Sequence, residues 1–186
     1  MVRSLRKPLI VMTPKSLLRH ELAVTPLSEL SLGSFKRIID EIDELVPANV
    51  ERVVFCSGKV YFDLLKARRA AAQGNVALVR VEQLYPFPVE EYQQVLARYP
   101  NATDFVWCQE EPQNQGAWHQ IRHRLQELAG ERRNVYYAGR APASAPATGL
   151  AKQHEFEQTR LVQTALNAVS ADQTNRHKLL SLRKSS

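Results

Sequence analysis

Four groups of residues carry side chains that can do chemistry. Ser57-Gly58-Lys59 stands where an apolar run gives way to a stretch of helix formers, so free backbone N–H groups and an ammonium could hold a phosphate there. Glu110 and Glu111 are adjacent carboxylates, the usual currency of general acid–base work. His119 and His123, four residues apart, share one face of any helix that contains them and so could share a metal. Cys56 and Cys108 each sit near the end of an apolar run.

Spacing weakens most of these. The Ser-Gly-Lys stretch is neither a P-loop nor GxGxxG, which leaves a tight strand-to-helix turn with Lys59 solvated as its plain reading. Neighbouring residues on extended chain point to opposite faces, so Glu110 and Glu111 cannot form one carboxylate pair. No base or nucleophile partner stands near either glutamate. The two histidines fall opposite the apolar stripe of Trp118, Ile121, Leu125 and Leu128, on the solvent side, with no third ligand in a metal-binding pattern. Two thiols without a CxxC make no disulfide framework; a reducing compartment with both cysteines as small apolar side chains is the simplest reading.

The elements that must position these groups alternate. Short β-branched and aromatic runs at 52–58, 76–84, 104–109 and 134–140 read as strands. Between them, 59–74 (closed by Gly74), 86–100 (opened by Pro88) and the run from Gly116 to Gly130 read as helices, and 153–169 as a last one. "PLIVMTP" is expected to add a fifth strand, and Ser34–Val46, with Phe35, Ile38, Ile39, Ile42 and Leu45, a further helix. The expected fold is α/β: an open, mostly parallel sheet of about five strands with helices on both faces. Ligands of such sheets collect outside the carboxyl ends of the strands. A cluster of Lys15, Ser57, Gly58, Lys59 and Arg140 there would suit an anionic effector, a nucleotide or a coenzyme A derivative.

Composition sets the frame. The chain of 186 residues, 44% hydrophobic and 24% charged, is long enough for one domain with a real core. We expect residues 1–169 to form that domain and 170–186 a basic tail. The net charge of +6 sits at the ends: residues 1–7 carry three positive charges, residues 170–186 a net three, and 8–169 balance. A neutral body argues against nucleic acid as a partner. No apolar run reaches the roughly 20 residues of a membrane helix, and "PLIVM" is too short for a secretion signal.

Five blocks, "KPLIVMTPKSLLRH", "RVVFCSGKVYFDLL", "VALVRVEQLYPFP", "WCQEEPQNQGAW" and "YAGRAPASAPATG", occur in one order across about residues 5–168. Together they resemble the C-terminal domain of the E1 component of 2-oxoglutarate dehydrogenase, a thiamine-diphosphate-dependent decarboxylase of the citric-acid cycle. The resemblance implies a transketolase-like C-terminal domain that is itself non-catalytic. Thiamine diphosphate and Mg²⁺ would be held by the preceding domains, so this part would bind neither. It would support a homodimer, pack against the upstream domains of the same chain and meet the E2 succinyltransferase only indirectly. It would be cytoplasmic in a bacterium and in the mitochondrial matrix of a eukaryote. Under this reading Glu110, Glu111, Gln113 and Trp118 are expected at an interface with a neighbouring domain or subunit. The resemblance fades near Leu166 to Val169.

Overall fold

A computed structural model describes residues 7, 8, 10–131 and 133–167. The chain divides into two compact units, residues up to Ser34 and residues from Phe35 onward. The expected tail at 170–186 lies outside the described residues.

The first unit holds a 3₁₀ turn, Lys15–Arg19, and a short helix α1, Leu27–Leu32, neither of which buries a residue. The expected "PLIVMTP" strand does not form: residues 10–14 are irregular, with Ile10 83% and Met12 90% exposed. An isolated extended segment has no ladder to join, and its apolar character cannot by itself make a strand.

The second unit is the expected open α/β sheet, with one element changed. Residues 34–46 were expected to be helical; instead Ile38–Ile39 forms β1, a two-residue edge strand antiparallel to β3, Val76–Val81. Side chains here take over backbone groups that a helix would need. Asp40 accepts from the Glu41 N–H at 2.7 Å and Glu41 from the Asp43 N–H at 2.8 Å. The Glu41 carboxylate also reaches inward, accepting from the Leu78 N–H at 2.7 Å and from both Nη atoms of buried Arg68. Those tertiary bonds outweigh the helical spacing of the isoleucines.

The remaining strands are β2 (Arg52–Cys56), β4 (Asp104–Pro112) and β5 (Asn134–Arg140), and the sheet order is β1-β3-β2-β4-β5. Pairs β2–β3, β2–β4 and β4–β5 are parallel. Four helices complete the unit: α2 (Val60–Ala70), α3 (Val89–Arg98), α4 (Trp118–Ala129) and α5 (Ala151–Leu166). Alternation sorts the core. Val53, Phe55, Val79, Phe105 and Trp107 bury against Tyr92, Val95 and Leu96 of α3 and Ile121 and Leu125 of α4. The opposite face, Val54, Cys56, Leu78, Val106 and Cys108, is covered by α2 and α5. Arg52 fastens α5 from below, donating to the carbonyls of Ala165 and Asn167 and to Asp104 at 2.7 Å. Among the described residues no helix is long and apolar enough to cross a membrane.

Candidate functional site

The strand order places a topological switch between β2 and β4: from β2 the chain goes to β3 on one side, then returns to β4 on the other. Segments leaving β2 and β4 therefore part toward opposite faces and leave a crevice at the carboxyl edge, where ligands of such sheets bind. The end of β4 divides this edge into two differently furnished sides.

Gln109 is the organiser. It shares a face with Phe105 and Trp107, at period two along the strand, and is 3% exposed. Its Oε1 accepts from Trp107 Nε1 at 2.9 Å and from the backbone N–H of Trp118, the first residue of α4, at 3.0 Å. Its Nε2 lies 2.8 Å from the Gln115 carbonyl and 3.3 Å from those of Glu111 and Pro112. One amide thus ties the strand, the turn and the helix start together. The turn needs glycine: Gly116 has φ +65°, and a Cβ there would come within 2.8 Å of Gln109 Nε2. Gly139 is needed for closeness, since its Cβ would meet Tyr137 Oη at 2.3 Å. Tyr137 Oη lies 3.1 Å from the carbonyls of both Glu111 and Arg140, and burial holds its phenol protonated well above the usual range.

Strand β4 runs further than the expected 104–109. It passes an irregularity between Cys108 and Pro112 and re-pairs with Arg140 of β5. Glu110 and Glu111 lie within that irregularity and, as expected, face opposite ways. Glu110 turns toward α2 and α5, where its Oε1 accepts from Lys59 Nζ at 2.8 Å and Gln158 Nε2 at 3.0 Å. Gln158 also donates to Asp63 at 2.8 Å and accepts from Arg140 Nη2 at 3.3 Å. Arg140, 8% exposed, meets His154 Nδ1 at 2.9 Å and has its Nε 3.3 Å from Glu157. That Nε is close enough for attraction but makes no hydrogen bond. An anion arriving at Lys59 or Arg140 would compete with carboxylates already in place.

On the other side, Glu111 is exposed and, among the described residues, its carboxylate makes no salt bridge. With Ser57, Gly58, Tyr85, Trp107 and Gln120 it lines a crevice of about 530 Å³. Tyr85, on the loop after β3, is 92% exposed at the rim.

The structure brings Ser57 and Gly58 to this crevice and Lys59 and Arg140 to the α5 side. Lys15 belongs to the first unit and is described with it. Of the residues expected at an interface, Gln113 donates its N–H to the Arg140 carbonyl at 3.0 Å, and Trp118 is buried beside Tyr137, ring centroids 5.3 Å apart. Trp118 is thus a core side chain, placed inward by the same stripe that carries Ile121 and Leu125. His119 and His123 are exposed. Both cysteines are buried, and desolvation pushes their thiols far up from the ordinary range. Sequence reasoning places Gln109 at a strand end without giving it a role, and misses Gln158. A signal existed for the first, a polar residue continuing the inward register of Phe105 and Trp107; Gln158 depends on a long-range approach of α5.

Fold and edge together define a doubly wound α/β domain with a switch-point crevice, one side of its carboxyl edge internally neutralised. The family described as "2-oxoglutarate dehydrogenase C-terminal" matches residues 24–166, and the chain belongs to it. Among curated proteins it is similar to the 2-oxoglutarate dehydrogenase E1 component of Haemophilus influenzae, 52% identical over 166 residues. That alignment covers 89% of this chain and 18% of the relative. The E1 component of Azotobacter vinelandii is 50% identical over 167 residues, 88% and 18% of the two chains, and that of Exiguobacterium 45% over 165, 87% and 17%. The chain thus spans less than a fifth of the length of the relatives it matches.

Proposed function

We propose that this chain is the C-terminal, non-catalytic domain of a 2-oxoglutarate dehydrogenase E1 component, supporting domain packing and dimer assembly in a longer enzyme. The observation that carries the reading is the match itself: half of the residues identical over nearly the whole chain, against one end of a far longer relative. The architecture agrees with a supporting role. The second unit has a continuous core of its own, and the cations at its carboxyl edge are occupied by its own carboxylates. In the whole enzyme thiamine diphosphate and Mg²⁺ supply the decarboxylation chemistry. A diphosphate–Mg²⁺ group needs gathered oxygen donors, and among the described residues no three Asp, Glu, His or Cys side chains are assembled to hold a metal. The residues here do not fit that group, and we assign its binding to the domains outside this chain. The E2 succinyltransferase is then an indirect partner, and the setting is the cytoplasm in a bacterium or the mitochondrial matrix in a eukaryote.

Size-exclusion chromatography with light scattering, on this chain alone and mixed with the remainder of the E1 component, tests the proposal. Stable association that restores thiamine-dependent decarboxylation of 2-oxoglutarate is expected. A chain that stays apart and leaves activity unchanged would overturn it.

A further inference from the structure

We infer that the switch-point crevice seats a basic side chain, lysine or arginine, carried by a segment of the longer enzyme outside these 186 residues. The inference rests on the proposed function, since the occupant belongs to the E1 component of which this chain is a part.

Three observations carry it. The crevice has one charged residue in its lining, the carboxylate of Glu111, and among the described residues no cation balances it. The adjacent Glu110, of the same residue type, is answered by Lys59 and Gln158 within its own fold. A cation that pairs with Glu111 would have to come from outside the described residues. Tyr85 then supplies the second contact: an aromatic ring 92% exposed at the rim of a cleft, placed to stack on the stem or the cation of a long basic side chain. Gln120 and Ser57 add polar groups that suit a guanidinium or ammonium with several N–H donors.

The volume and the chain length choose a polypeptide over a free small cation. A space of about 530 Å³ exceeds one side chain and admits the flanking residues as well. More than four fifths of the relatives' length lies outside the matched region, and that remainder must dock on some face of this domain. An anion is the wrong occupant, because Glu111 would repel it and Lys59 is already bound.

The experiment uses the longer enzyme with p-benzoylphenylalanine in place of Tyr85, irradiated and mapped by mass spectrometry. We expect adducts on a segment outside residues 1–186 that carries a lysine or arginine within a few positions. Glu111→Gln is expected to lower the yield about twofold to fivefold, as loss of one partly exposed ion pair should, and Glu110→Gln to leave it unchanged. Adducts confined to the 186 residues, adducts on a segment without a basic residue, adducts on a different protein, or a yield indifferent to Glu111→Gln would each overturn the inference while leaving the proposed function standing. Finding this chain in its native cells solely as a free 21.1 kDa species would overturn the proposed function itself, and the occupant with it.

Discussion

Glu110 and Glu111 are consecutive and chemically alike, yet the two sides of β4 give them opposite circumstances. On the α5 side, Glu110 is one member of a chain of contacts running from Lys59 through Gln158 to Arg140. Each cation there has a carboxylate from the same fold within reach. On the α4 side, Glu111 faces a cleft with an exposed tyrosine and no answering charge among the described residues. The difference comes from period-two alternation along the strand, which Gln109 fixes by binding both the strand and the start of α4. One side of the edge is finished by the domain; the other is left open.

Removing the organiser should blur both sides at once. Gln109→Ala leaves the Trp107 indole N–H, the Trp118 N–H and the Gln115 carbonyl without that partner, and we expect a loss of about 3 kcal/mol in urea unfolding. Gly116→Ala forces a side chain into a left-handed turn against Gln109 and should cost about 1–2 kcal/mol by the same assay. Glu110→Ala opens the closed side alone. Because Lys59 and Glu110 are partly solvated, the expected loss is about 1 kcal/mol, smaller at high salt. Glu111→Gln should change the stability of the isolated chain by less than about 0.5 kcal/mol, the mark of a residue its own fold does not use.

Alkaline pH probes the packing beneath both sides. Burial raises the phenol of Tyr61 to about 12 and that of Tyr137 further still. A folded-state value above the unfolded one favours the protonated form in the native state. Stability is then complete below about pH 10 and falls as pH rises toward 12, which urea midpoints at stepped pH should follow.

Much of this was legible in the sequence. The strands from Arg52 onward, their helices and the opposed directions of Glu110 and Glu111 follow from hydrophobic period and local chain geometry. Residues 34–46 misled because Ile38, Ile39 and Ile42 are spaced for a helix. The deciding bonds, Glu41 to Arg68 and to the Leu78 N–H, join positions 27 and 37 residues apart. The effector cluster shows the same limit. The sequence shows that Lys59 and Arg140 end up at the same edge, but not that Glu110, Asp63 and Glu157 reach them first. Pairing of charges across elements is a tertiary fact that spacing along one element does not encode.

Hydrogen–deuterium exchange, compared between the isolated chain and the longer enzyme, tests the division of the edge most directly. Added protection is expected at residues 84–86 and 111–117 in the longer enzyme, with residues 151–158 of α5 unchanged. Equal exchange in both proteins, or protection gained on the α5 side instead, would contradict it.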